Sequence, residues 1–89
     1  MLSKITGMVT DRVDHTLVIT TGGLGFSVAV ARPELFTLKQ NVELDLHMHW
    51  NQEQGPSVYG FSSSLEKIVF QLIISCSGIG PKIGLAVFS

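Results

Sequence analysis

The chain has 89 residues, 45% hydrophobic and 15% charged, with a formal net charge of −1 and a single cysteine. That length allows one compact domain, or a small domain plus part of another, with ample apolar material for a core. The charge balance excludes a protein that holds nucleic acid by bulk positive charge, and the lone cysteine excludes an internal disulfide or a cysteine metal cluster.

Residues 1 to about 61 read as strands and turns. Ile5, Gly7 and Val9 alternate with Lys4, Thr6, Met8 and Thr10 up to a turn region at Asp11-Arg12. Thr16 to Thr20 is a β-branched run closed by Gly22-Gly23, and Phe26, Val28 and Val30 then alternate with Ser27, Ala29 and Ala31. Pro33 stops that strand, and Glu34 to Lys39 has room for one helical turn. The clearest alternation follows: Leu44, Leu46, Met48 and Trp50 on one face, Glu43, Asp45, His47 and His49 on the other. Asn51 to Pro56 is a polar hairpin loop, and Val58-Tyr59-Gly60-Phe61 is the closing strand. Five short strands with glycine at the bends fit a closed barrel of the OB type, with a five-strand sandwich or an SH3-like barrel as alternatives.

At Phe61-Ser62-Ser63-Ser64 the period changes from two to 3.6, which predicts domains over 1–62 and 63–89. Ser63 and Glu66 form a capping box, the signature of a helix start. Leu65, Ile68, Val69, Leu72, Ile73 and Cys76 follow at helical spacing, predicting the buried face of that helix, with Cys76 as a core thiol. The helix leads into Ser77-Gly78-Ile79-Gly80-Pro81-Lys82, after which Ile83, Ala86 and Val87 begin a second helical face. This run reads either as a helix C-cap followed by a restart or as the hairpin of a helix-hairpin-helix, which grips a sugar-phosphate backbone. Glycines let a backbone turn tightly and approach a ligand closely, and amides opening a helix donate to a phosphate. Pro81 suits the first helical position, Lys82 adds a point charge, and Ile79 is expected to plug the groove between the helices.

Other candidate chemistry is weaker. His47 and His49 share a strand face, but spacing supplies no third metal ligand, so a partly exposed face is the better reading. Trp50, Tyr59 and Phe61 are candidates for stacking on bases, although Trp50 continues the apolar stripe and is expected in the core. There is no nucleotide-binding loop and no nucleophile–base constellation, so an enzyme is not expected, and no cofactor is implied. The N-terminus has no apolar signal segment and Ile68 to Ile74 is too short to span a membrane, which predicts a cytoplasmic protein with no membrane partner.

Gly22-Gly23-Leu24-Gly25-Phe26, Tyr59-Gly60-Phe61 and Gly78-Ile79-Gly80-Pro81-Lys82 resemble, in order and spacing, the RuvA family of Holliday junction branch migration subunits. The resemblance implies an OB barrel followed by a helical domain, tetramers that cradle four-way junction DNA, and recruitment of a RuvB-type ATP-driven motor. It places DNA contacts at Ser77, Gly78, Ile79, Gly80 and Lys82. It also implies an acidic pin in the last barrel hairpin, where Glu53 matches one carboxylate and Gln54 stands in place of the other. Gly84 departs from the alanine usual at the helix crossing. Only the first of the family's two hairpins, and no motor-binding domain, is recognisable, so a fragment or truncated product is expected.

The expected function is therefore structure-selective, non-catalytic junction binding in recombination and repair, as a homotetramer. The alternative is an OB module that binds single-stranded nucleic acid or serves only as an assembly partner.

Overall fold

The structure, a computed structural model, describes residues 2–76 and 78–89. Five strands, β1 (Lys4–Val13), β2 (Thr16–Thr21), β3 (Leu24–Ala29), β4 (Asn41–Asn51) and β5 (Gly55–Phe61), precede two helices, α1 (Ser64–Ser75) and α2 (Pro81–Ala86). The strands close into a barrel in the order β1-β2-β3-β5-β4, the OB-type arrangement expected from the sequence. All pairings are antiparallel except the closing contact of β3 with β5, which rests on Ala29 opposite Tyr59.

Turn chemistry sets the registers. The β2–β3 hairpin pairs Thr21 with Leu24 across Gly22 and Gly23, whose φ values of 56° and 82° are both left-handed. That geometry matches the right-handed twist of the strands, and glycine reaches it without a Cβ penalty. The β1–β2 turn uses Asp14 at φ 53° in the same way. Between β3 and β4 the chain crosses over through a single 3-10 turn, Pro33–Leu35, shorter than the Glu34 to Lys39 turn expected. The Arg12 guanidinium holds this crossover by donating to the Pro33 and Phe36 carbonyls.

The alternating strand residues fill the barrel. Ile5, Val9, Leu17, Ile19, Val28, Val30, Val42, Leu44 and Leu46 are buried there, with Phe36 closing one end. Gly60 also faces inward, where a Cβ would stand 2.6 Å from Val28 Cγ1, so only glycine lets β5 lie this close to the core. Its neighbours Tyr59 and Phe61 point the other way. They form a second cluster with Phe70 of α1 and Leu85 of α2, outside the barrel. The Tyr59-Gly60-Phe61 motif is thus a two-sided joint: glycine seals the barrel, and the flanking aromatics seat the helices. This burial removes Tyr59 and Phe61 (6% and 3% exposed) from any stacking role.

Helix α1 starts as the capping box predicts, with the Ser63 hydroxyl accepting from Glu66 N at 3.2 Å. Its buried face is not the expected one. Phe70 is fully buried, its ring 4.8 Å from that of Phe61 and 5.5 Å from that of Tyr59. Leu65, Ile68 and Leu72 are 69%, 52% and 61% exposed, and Cys76 is exposed rather than a core thiol. The helix is apolar around most of its circumference, so spacing offered two stripes. The aromatic shelf of β5 takes the one carrying the largest ring. Helix α2 differs similarly: Gly84 and Leu85 are buried, while Ile83 and Val87 stand about two-thirds exposed. Gly84 lies at the helix crossing, where a Cβ would come within 2.9 Å of Ile74 Cγ2. No helix among the described residues is long and apolar enough to cross a membrane.

Candidate nucleic-acid interface

Two elements that the sequence singled out, the hairpin between the helices and the loop between β4 and β5, lie on either side of one cleft of about 460 Å³. His49, Asn51 and Gln54 line it from the barrel, and Gly80, Pro81 and Lys82 from the hairpin. A neighbouring cleft of about 470 Å³ continues past Tyr59, Ser57 and Lys82 to His15 in the β1–β2 turn. Lys82, exposed and lining both clefts, is the cation at their junction. Burial holds the Tyr59 phenol above its ordinary pKa, an effect partly opposed by the neighbouring Ser57 side chain.

The two hairpin glycines do different work. Gly78 has φ +80°, in the left-handed region, so its backbone requires glycine although the space around it is open. Gly80 caps α2 at φ −82° and ψ 166°, a conformation any residue adopts, and a Cβ there would meet nothing within 4 Å. The fold itself does not demand glycine at 80; bare backbone there leaves room for something outside the chain. Pro81 takes the first helical position as expected. The Lys82 and Ile83 amides in the first turn have no intrahelical acceptor, as in any helix opening. Ile79 is 36% exposed and does not plug the inter-helix groove; Leu85 and Gly84 occupy the helix junction instead. Ser77 lies outside the described residues.

The β4–β5 loop is pre-shaped by Asn51, whose Oδ1 accepts from Glu53 N at 2.8 Å and Gln54 N at 3.1 Å, and by Gly55 at φ +79°. Glu53 and Gln54 are exposed at its tip. Lower on the ribbon, His47 leaves the metal-site reading behind and packs against α1. Its ring meets that of Phe70 edge-on at 5.4 Å, and Nδ1 lies 3.3 Å from Gln71 Nε2. Burial, then the charges of His49 and Lys67, hold its pKa below the ordinary histidine value. No cluster of three or more metal-ligating side chains occurs among the described residues.

Trp50 is another residue that sequence reasoning misplaced. It is 67% exposed, not in the core, because the alternating stripe runs on beyond the barrel. Pairing of β4 with β1 stops at Asp45, so the rungs from His47 onward have β5 alone as a partner. The length of the hairpin relative to β1 was the available signal.

The family model of the RuvA N terminal domain matches residues 1–60. Proteins named Holliday junction branch migration complex subunit RuvA are similar over the whole chain. That of Thermus thermophilus is 34% identical with 47% of its length covered, that of Lactococcus lactis subsp. lactis 33% with 46%, and that of Pelobacter propionicus 30% with 46%. The chain spans about half the length of the curated relatives it matches.

Proposed function

The chain belongs to the RuvA N-terminal domain family, and from that premise we propose that it binds four-way DNA junctions as a non-catalytic, backbone-gripping subunit. The observation that carries this reading is Gly80: an unneeded glycine, in fold terms, at the mouth of a helix and beside Lys82. A phosphate fits such a place because helix-opening amides donate to it and the lysine supplies charge. Gly78, Ile79, Gly80 and Lys82 form the grip, and Ser77, which precedes them in sequence, is a further candidate donor. Glu53, exposed at the tip of the β4–β5 loop, acts as the pin, its carboxylate repelling phosphates where strands part. With Gln54 beside it in place of a second carboxylate, the pin is weak.

One hairpin touches few phosphates, so a single copy binds weakly and with strong salt dependence. Several copies on one scaffold multiply the effective concentration, which favours a homotetramer. The exposed stripe of Leu65, Ile68 and Leu72, with Ile83 and Val87, supports coverage of the helical face by further protein. Backbone contacts carry no base information, so selectivity resides in junction shape. Residues 1–62 act as the barrel module and 63–89 as the grip. Chemical work in branch migration falls to a partner motor, the protein acting inside the cell in recombination and repair.

A gel-shift titration against a four-way junction and an equal-length duplex, at two salt concentrations, tests the reading. Junction preference that weakens steeply with salt and disappears in Gly80→Asp is expected. Equal retention of both DNAs, or junction binding untouched by Gly80→Asp, overturns it.

A further inference from the structure

Trp50 is the chain's only tryptophan, and the proposed grip does not use it. It sits opposite Pro56 on the part of the ribbon that projects past β1. The stripe leaves the barrel where β1 ends beside it: Leu46 is 2% exposed, Met48 half-buried and Trp50 67% exposed. The ribbon therefore has two unlike faces. His49 and Asn51, with Ser57, look into the cleft shared with the hairpin, whereas Trp50 looks the opposite way. Between them the loop carries Glu53 at its tip, with the exposed amides of Gln52 and Gln54 beside it.

The charge distribution limits what this outer face can hold. No Lys or Arg occurs between Lys39 and Lys67, and Glu53 is the charge at the tip. The β4–β5 ribbon itself brings a phosphate no cation, and Glu53 repels it. What the face offers instead is a flat, uncharged aromatic surface. An unstacked nucleobase is the part of a nucleic acid that matches it, since every base has a π face that stacks on an aromatic side chain. The loop between the fourth and fifth strands is also one of the two that OB barrels use for oligonucleotides. Asn51 and Gly55 hold the backbone of this loop in shape between Trp50 and Pro56.

We propose that Trp50 stacks on an unpaired base on the side of the ribbon away from the hairpin, receiving a base of one strand while the hairpin grips the other. The inference rests on the junction-binding reading and adds a role to it. Glu53 keeps the backbones apart, and Trp50 compensates the base that loses its partner.

The sole tryptophan makes the test direct. Indole emission is followed while a four-way junction with unpaired thymines at the crossover, and a fully paired junction, are titrated into the full chain. Retention of each is measured in parallel by gel shift for the wild type, Trp50→Ala and Trp50→Phe. Quenching is expected, stronger with the unpaired junction. Trp50→Ala weakens retention of that junction about tenfold or more, and Trp50→Phe keeps most of it. Unchanged emission, with Trp50→Ala retaining both junctions like the wild type, overturns stacking and leaves junction binding standing. Emission that shifts with protein concentration before DNA is added places the indole between copies of the chain, which also overturns it. Failure of the wild type to retain any junction overturns junction binding and stacking together.

Discussion

The barrel and the helical segment are built from comparably apolar sequence and use it differently. Ten described residues of the barrel, from Ile5 to Leu46, pack into one enclosed cluster. The helices bury Phe70 and Leu85 against the outside of β5 and leave Leu65, Ile68, Leu72, Ile83 and Val87 more than half exposed. A closed sheet satisfies its own backbone and covers its own interior. Short helices each bury a single stripe and depend on another layer for the rest. The barrel is therefore self-sufficient, and the segment carrying the proposed phosphate grip leaves most of its apolar surface uncovered.

The sharpest way to break this contrast is Phe70→Ala. Removing a fully buried ring costs about 3–5 kcal/mol, and the loss should fall on the helices. Hydrogen exchange is expected to show protection lost over residues 64–86 while β1, β2 and β4 keep theirs. Loss of protection throughout would show one cooperative unit and end the distinction. Gly60→Ala probes the other side of the joint. Its Cβ would meet Val28 Cγ1 at 2.6 Å and Leu44 Cδ1 at 3.2 Å. Overpacking of this kind costs about 1–3 kcal/mol, and here the barrel's own melting transition should move down.

The two hairpin glycines separate fold from function. Gly78→Ala forces a side chain into a left-handed backbone and costs about 1–2 kcal/mol, seen as a lowered melting temperature. Gly80→Ala meets no protein atom within 4 Å and should leave the melt within about 0.5 kcal/mol of the wild type. It should nevertheless weaken junction retention in a gel shift. A Gly80→Ala protein that melts early, or that binds normally, contradicts the assignment of that glycine to an external ligand.

The smallest expected effect is on pH. His47 sits where α1 meets the barrel, with its folded pKa held below the ordinary 6.5. The folded state thus binds fewer protons than the unfolded state just below that value. Stability is present above about pH 6.5 and is lost as pH falls through the depressed pKa. Facing Lys67 and His49, a protonated His47 gains no compensating partner. Melting temperatures recorded from pH 7.5 to 5 should fall for the wild type and flatten in His47→Gln. Parallel curves would remove His47 as the cause.

Much of this architecture is written locally. Alternation along Ile5 to Val9 and Leu44 to Leu46, paired glycines at 22 and 23, and the Ser63 cap each act over a few residues, and each is found where the sequence places it. So is the break before Pro81, because left-handed φ and proline geometry leave the chain few choices. The stripe of α1 that faces the barrel was not legible. A helix apolar on several sides satisfies the same spacing in more than one orientation, and only the shelf of Tyr59 and Phe61 selects Phe70 over Leu65 and Leu72. Trp50 obeys the strand period perfectly and still ends in solvent, because period sets the face of a strand and not how far its neighbour extends beside it. Local rules determined the elements and their turns. The meeting of surfaces distant in sequence decided which apolar side chains became core and which were left exposed.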